Sequence, residues 1–322
     1  MIVMVLFIHS YYIEGEHYAF TNYVQAFISK GLCSVAVPMF FAISGLLFFR
    51  GISKIKDVFK KQVKRTKTIL IPYLIWNVIF VLWFVILDWI PSASQFVNST
   101  IVNDITSLSF WHGFVYLFVK PAGFHLWFLR DLIIFICITP ALYYCICFAK
   151  WIVPILCFAL SFKYSFFNGL AFFSLGGIMA LFYSFEQINA ICSKFGLLSV
   201  ILWVLYSFCT PLFVFSAKFA IIAQLSGIVA IWFLYDKVPQ SRITRSLREL
   251  NIFGYSFFVY VFHEPFFNII KKIMLKVFGI GDVSLSILYL INPIIALTII
   301  ICIAKVFEHL LPRFYCILTG GR

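Results

Sequence analysis

The sequence has few charged residues, and acidic residues are especially scarce. Of its 322 residues only 11% are charged, and 12 Asp and Glu stand against 25 Lys and Arg, which gives a formal net charge of +13. Soluble domains average about 25% charged and about 45 to 50% apolar residues, whereas this chain is 63% hydrophobic and 20% aromatic. One core of this size cannot bury so much apolar surface, so most of it must face lipid. The composition excludes a water-soluble globule and indicates a polytopic membrane protein.

Other familiar features are also missing from the sequence. The nine Cys lie in apolar stretches with no CxxC pair and no His at ligand spacing, so we expect neither a metal site nor a disulfide framework. No repeat of about 20 to 50 residues is visible. The longest predicted outer loop, 89–124, is too short for a separate domain. The basic residues sit in short gaps between apolar runs, which argues against nucleic-acid binding. We therefore predict one transmembrane domain over residues 1–322, without a soluble domain.

Apolar runs predict the membrane spans, because a helix needs about 20 apolar residues to cross about 30 Å of hydrocarbon. Nine runs approach this length. A short tenth run, Trp151–Phe162, is included because counting it as a crossing places most basic residues on one side. We therefore predict an all-α fold of about ten transmembrane helices, the first of them short. The nine runs are Met1–Ile13, Leu32–Phe49, Thr68–Leu87, Leu126–Ala149, Tyr164–Phe185, Phe195–Ala217, Phe219–Tyr235, Asn251–Ile270 and Val283–Ala304.

The segment 50–67 sets the predicted orientation. It carries eight Lys or Arg against one Asp, and loops of this composition stay on the cytoplasmic side. Both termini are then cytoplasmic. Topology and attraction to anionic lipid explain the segment well, and the alternative is a polyanion site where this predicted loop enters the membrane. The residues of that alternative site are Lys64, Arg65 and Lys67. The exceptions to the charge rule, which fall on the outer side, are Lys271, Lys272 and Lys276.

Ionisable side chains inside spans are costly and are therefore candidates for function. His9 lies near the outer end of the first run, either as a catalytic base or acyl relay or as a histidine that packs between helices. Glu14 lies about 140° further round that helix and is a poor partner for His9. His263 and Glu264 lie near the midplane. Because Pro265 follows them, the alternative there is a kinked helix with a hydrogen-bonded histidine.

Arg130 and Asp131 form a second ionisable group, with His125 nearer the outer end of the same run. Adjacent residues point in different directions on a helix, so we expect one or both charges to pair with another span. A structural salt bridge between helices and a contact with substrate are equally compatible with this pattern.

Four stretches, taken together and in order, resemble the acyltransferase-3 family of membrane acyltransferases, which modify bacterial surface glycans. Each stretch is a weak apolar string by itself, but the order is specific, and the stretches extend from one end of the chain to the other. Within the family, the chain is similar to the branch that acetylates enterobacterial common antigen. The stretches are VMVLFIHS (Val3–Ser10), VPMFFAISGLLF (Val37–Phe48), KRTKTILIPYLIW (Lys64–Trp76) and HLWFL (His125–Leu129), with a weaker fifth, YVFHEP (Tyr260–Pro265).

The resemblance implies an O-acyltransferase of the bacterial cytoplasmic membrane. The donor would be cytoplasmic acetyl-CoA or a related acyl-CoA, and the acceptor a hydroxyl of a surface glycan or its lipid-linked precursor. His9 takes the position of the functional histidine of the family. An Arg that usually precedes this histidine would fall upstream of Met1, so we expect ten or more further residues before Met1. The basic pair of the family is matched approximately by Lys64, Arg65 and Lys67, which would hold the CoA phosphates.

The resemblance also suggests roles for the remaining candidates. Arg130, His125 or His263 would stabilise the oxyanion formed when the thioester is attacked, and aromatic side chains would line the sugar site. We expect no permanently bound cofactor and no metal. The predicted catalytic residues are His9, Arg130 and His263, and the predicted substrate-binding residues are His125, Trp127, Tyr260 and Glu264.

Two other functions fit the same buried charges. A transporter or lipid-linked glycan flippase would use them as a path for its substrate, but such proteins usually show internal repeats. A non-catalytic assembly or sensor protein is the second alternative. Acyl transfer from labelled acetyl-CoA by the purified protein would separate the enzyme from both.

Overall fold

The computed structural model of the protein describes residues 1–12, 15–90, 110–238 and 252–321. Within these ranges the chain is helical and contains no strand, which confirms the predicted all-α fold. Short π-helical and 3-10 turns occupy Ala26–Gly31, Leu32–Val35, Phe124–Leu126 and Ile252–Tyr255. The α-helices are α1 Ile2–His9, α2 Ala19–Gln25, α3 Ala36–Phe49, α4 Ile55–Asp88, α5 Phe110–Val119, α6 Trp127–Cys137, α7 Thr139–Ala149, α8 Ile152–Ser161, α9 Phe166–Phe182, α10 Phe185–Cys209, α11 Ala217–Lys237, α12 Ser256–Phe278, α13 Asp282–Leu310 and α14 Pro312–Thr319.

Five helical segments of the described chain are long and apolar enough to cross a membrane. A sixth span results if Phe124–Cys137 and Thr139–Ala149, which meet at a bend of 68°, are counted as one. A polytopic membrane protein is thereby confirmed. The predicted tenth run forms α8, whose ten residues reach only about 15 Å, so the total of ten spans stays a prediction. The five segments are Ala19–Phe49, Ile55–Asp88, Phe185–Cys209, Ala217–Lys237 and Asp282–Leu310.

The basic segment 50–67 is mostly helix, so its prediction as a loop is wrong from Ile55 onward. α4 begins at Ile55, passes through Pro72 and ends at Asp88. Lys, Arg and Gln are good helix formers, and no helix-breaking residue separates them from the apolar run that follows. The basic residues from Lys56 to Lys67 therefore form the first turns of α4, continuous with its apolar part.

The chain divides into two compact units, one formed by residues 1–58 and 140–305 and the other by residues 59–139 and 306–322. In the first unit α3 and α9 pack with their backbones in close contact. A Cβ added to Gly45 would overlap the carbonyl oxygen of Phe173, and one added to Gly176 would overlap that of Ala42. Small residues allow membrane helices to approach in this way, and the pair forms a firm scaffold for the unit that also carries α1, α12 and α13.

Polar side chains on α4 connect the helices of the second unit. The indole N–H of Trp76 donates to the carbonyl of Leu318 in α14 at 3.1 Å. The amide of Ala122 donates to the side-chain oxygen of Asn77 at 2.9 Å. Gln62 donates to the carbonyl of Cys137 at 2.7 Å, and so satisfies a main-chain group exposed where α6 ends.

Candidate active site

His9 is the last residue of α1, a helix of only eight residues, and polar contacts hold this end in place. The Ser29 hydroxyl, in the π-helical turn, donates to the carbonyl of Phe7 at 2.7 Å and lies 2.7 Å from the hydroxyl of Tyr289 in α13. The Ser10 hydroxyl donates to the carbonyl of Tyr289 at 3.1 Å. The last carbonyls of a helix have no partner within the helix, so such contacts fix where α1 ends and where the His9 imidazole lies.

Glu264 on α12 is the partner of the His9 side chain. Nδ1 of His9 lies 3.3 Å from a carboxylate oxygen of Glu264, and the two side chains are 20% and 31% exposed. The distance exceeds the roughly 2.7 to 2.9 Å of a charge-assisted hydrogen bond, so the contact is an ion-pair contact. An ionised carboxylate only accepts hydrogen bonds, so the proton of the neutral ring belongs on Nδ1 and the lone pair on Nε2. A general base needs this tautomer. Glu14 lies outside the described residues.

His263 lies beside this pair and is fully buried. Its ring meets the His9 ring edge-on, with ring centroids 4.9 Å apart. Nδ1 of His263 lies 2.6 Å from the carbonyl oxygen of Tyr260, one turn earlier in α12. The hydrogen-bonded histidine expected as the structural alternative is thus present, and α12 continues through Pro265. Bound in this way, neutral His263 carries its proton on Nδ1, so it could donate from Nε2 to an oxyanion only when protonated.

Lys271, an exception to the charge rule, also belongs to this site. Its ammonium donates to the main-chain carbonyl of His9 at 2.7 Å. The ammonium lies 5.8 Å from the ring centre of Tyr12 and 5.7 Å from that of Phe267, and its charge acts on Glu264. A signal was available in the sequence, because residues 264 and 271 are seven positions apart and lie on one face of a helix.

The cluster also offers atoms that a metal ion could bind. Nitrogen atoms of His9 and His263 and a carboxylate oxygen of Glu264 all lie within 4.8 Å of one another. Two imidazoles and a carboxylate resemble a catalytic zinc site, a grouping that spacing along the chain does not reveal. The carboxylate, however, already lies 3.3 Å from Nδ1 of His9. We therefore interpret the cluster as a group for proton transfer.

Arg130 and Asp131 pair with each other in the second unit, so the prediction that adjacent charges must seek another span is wrong. Two guanidinium nitrogens of Arg130 lie 2.9 and 2.8 Å from one oxygen of Asp131. A third nitrogen donates to the carbonyl of Val119, at the end of α5, at 2.6 Å. The helical rule concerns the directions of the Cα–Cβ bonds, whereas the long Arg side chain can fold back over its neighbour. The pair thus joins α5 to α6.

The other predicted sugar-site residues of the second unit lie where the chain enters α6. His125 is 2% exposed, and its ring packs edge-on against Phe80 with centroids 5.4 Å apart. Trp127 is half-buried at the start of α6, next to the ring of Phe128. Their roles at a sugar site stay predictions. Of the predicted site residues, the first unit brings together His9, Tyr260, His263 and Glu264.

The predicted phosphate-binding residues lie on α4. Lys64 and Lys67 are exposed and Arg65 is half-buried. At 100° per residue, these three and the preceding Lys60 and Lys61 occupy about 160° of the helix surface. In the part of the chain that the structure describes, Lys64, Arg65 and Lys67 form no ion pair. This basic face of α4 has the charge needed for a polyanion.

Known proteins resemble this chain over nearly its full length. The sequence profile of the acyltransferase-3 family, described as an acyltransferase domain, matches residues 1–307 and so includes parts of both units. The succinoglycan biosynthesis protein ExoH of Rhizobium meliloti is 24% identical over 331 aligned positions, which cover 95% of this chain and 84% of that protein. No solved structure matches the chain. The chain belongs to the acyltransferase-3 family and is a membrane O-acyltransferase.

Proposed function

We propose that this enzyme transfers an acetyl group from cytoplasmic acetyl-CoA to a hydroxyl of a cell-surface glycan or of its lipid-linked precursor. The observation that carries the proposal is the contact between His9 and Glu264, residues near opposite ends of the chain. An imidazole held by a carboxylate is the standard arrangement for taking a proton from a hydroxyl.

The reaction follows from the orientation of the imidazole. Nε2 of His9 removes the proton of the acceptor hydroxyl while the hydroxyl oxygen attacks the thioester carbonyl carbon. Glu264 holds the ring through Nδ1 and balances the positive charge that the ring acquires. The carbon–sulfur bond then breaks, the acyl group stays on the acceptor oxygen as an ester, and the CoA sulfur takes the proton back from His9. A route in which His9 itself carries the acyl group would instead give an acyl-enzyme.

The donor site in this proposal is the basic face of α4. CoA carries several phosphate charges, and Lys64, Arg65 and Lys67 offer positive charge without an ion-pair partner among the described residues. Acyl-CoA is made in the cytosol, and the positive-inside rule assigns this end of α4 to the same side. We accordingly propose the bacterial inner membrane as the location, with both termini in the cytoplasm.

The proposed acceptor is based on the relative that this chain resembles. The relative named above is described as a succinoglycan biosynthesis protein, so a polysaccharide hydroxyl is the acceptor class that we propose for this chain. Trp127 and Tyr260 carry the aromatic faces on which sugars commonly stack. Their contribution would appear as a higher KM for the acceptor with an unchanged KM for acetyl-CoA.

The direct test is acyl transfer by the purified protein. The detergent-solubilised enzyme is incubated with acetyl-CoA labelled in the acetyl group and with surface polysaccharide from a strain that lacks the gene. We expect label in the polysaccharide in a form released by mild alkali, as an ester is, and release of one thiol per acetyl group transferred. If neither product forms, and other acyl-CoA donors and lipid-linked saccharides also fail, the proposed reaction is wrong.

A further inference from the structure

Lys271 is a half-buried cation, and burying a charge is costly unless the charge is paired or hydrogen-bonded. It lies seven residues after Glu264 in α12, on the same face of the helix. The structure uses it for one hydrogen bond, to the main-chain carbonyl of His9 at 2.7 Å, while its charge acts on Glu264. The proposed reaction described above gives this lysine no role.

The contacts of Lys271 converge on a single residue of another helix. Glu264 contacts the side chain of His9, and Lys271 binds the carbonyl of the same residue. α12 therefore holds the end of α1 at two points, one on the imidazole and one on the backbone. Two such points fix both the position of the residue and the direction of its ring, and catalytic groups need this placement to within about 0.5 Å.

The ammonium of Lys271 is itself kept in place. Two aromatic rings lie beside it, that of Tyr12 after the end of α1 and that of Phe267 on α12. Their ring centres are 5.8 and 5.7 Å from the Lys271 nitrogen. Aromatic faces attract cations at this range. Tyr12 is in turn held at the end of α2, because its amide donates to the side chain of Gln25 at 2.5 Å.

We propose that Lys271 is a positioning residue of the acyl-transfer reaction. It fixes the carbonyl of His9 and, with it, the end of α1 that carries the imidazole. The proposal rests on the proposed function, because it assigns to Lys271 the task of presenting His9 as a base. It predicts that Lys271 acts on the rate of the chemical step and not on the binding of acyl-CoA.

The test compares Lys271→Met, Lys271→Arg and Lys276→Met in the purified full-length enzyme. Lys276 is the matched control, because it is an exposed lysine five residues further along the same helix. We expect Lys271→Met to lower kcat by between about tenfold and about a hundredfold with KM for acetyl-CoA unchanged, since a displaced catalytic group costs rate in this range. Lys271→Arg, which keeps the charge and a donor, should recover most of the lost kcat.

Three results would overturn the proposal. They are a kcat of Lys271→Met within about twofold of the wild type, a raised KM for acetyl-CoA at unchanged kcat, and an equal loss in Lys276→Met. If Lys271→Met does not accumulate in membranes, Lys271→Ala, which likewise removes the hydrogen-bond donor, is measured against the same criteria. A wild-type enzyme without acyl transfer would refute the proposed function itself, whereas an active wild type with an active Lys271→Met would refute only the role of Lys271.

Discussion

In the first unit, ionisable residues that are distant in the sequence contact each other. His9 on α1 contacts Glu264 and Lys271 on α12. In the second unit Arg130 pairs with the residue next to it, and three basic residues of α4 form no ion pair within the described chain. A pair between adjacent residues forms wherever the helix forms, whereas a pair between distant helices requires the completed fold. This contrast agrees with the proposal that the reaction centre lies in the first unit and that charge in the second unit serves structure and donor binding.

The largest expected effect is at His9. His9→Ala should lower acyl transfer by about a thousandfold or more, because it removes the base that takes the proton of the acceptor. The amount of protein in the membrane should not change. His309→Ala is the control, since His309 is exposed and lies beyond the segment that matches the family. Acyl transfer retained in His9→Ala would show that His9 is not the base. It would also contradict the proposal that the first unit contains the reaction centre.

A smaller effect is expected at Glu264. Glu264→Gln keeps the size of the side chain but removes the charge that balances the imidazolium, so kcat should fall by about a hundredfold. The matched control is Glu186→Gln, in the exposed first turn of α10, which should keep its activity. Steady-state rates at saturating acetyl-CoA measure the fall in kcat of Glu264→Gln directly. A change confined to KM for the acceptor would instead support the earlier prediction that Glu264 binds substrate.

A change at Arg130 tests whether the ion pair of the second unit is structural. Arg130→Met leaves Asp131, which is 4% exposed, without its partner and should lower the free energy of unfolding by about 2 kcal/mol. Thermal unfolding in detergent measures the loss. The double variant Arg130→Met with Asp131→Leu should recover most of the stability, because it leaves no buried charge unpaired. A stable but inactive double variant would support the predicted catalytic role of Arg130.

The smallest effect is expected on the basic face of α4. A triple change to Ala should raise KM for acetyl-CoA about tenfold at unchanged kcat, since exposed charges each contribute little. Added salt should reduce the difference in KM for acetyl-CoA between the variant and the wild type, because it screens the exposed charges. An unchanged KM would leave topology as the role of these charges. The altered residues are Lys64, Arg65 and Lys67. The control variant carries Ala at the exposed lysines Lys150, Lys163 and Lys194.

Composition and apolar runs predict the all-α membrane fold, because lipid leaves helices as one of few options for a spanning chain. They do not predict where helices join or break. The positively charged start of α4 continues the helix, and the run from Leu126 to Ala149 bends by 68° between α6 and α7. Charge and hydropathy carry no signal for either event, since both depend on local backbone geometry.

The candidate site is predicted in part. His9, His263 and Glu264 stand out as titratable residues in apolar runs, and the structure places them together, whereas their roles stay predictions. Their mutual contacts depend on how α1 packs against α12, which no periodicity encodes. Lys271 shows the limit most clearly. The positive-inside rule treats Lys271 only as an exception. Its position two helical turns after Glu264, however, indicates that the two residues share a face of the helix.

The first unit is assembled from both ends of the chain, with residues 59–139 inserted in its sequence, and this order has a consequence for biosynthesis. The ribosome delivers His9 long before Glu264 and Lys271, because Lys271 follows His9 by 262 positions. At about 5 to 20 residues per second, the nascent chain waits roughly 10 to 50 seconds before the two helices can meet. During that interval α1 has no α12 to contact, so a prematurely terminated product would be inert toward acyl-CoA.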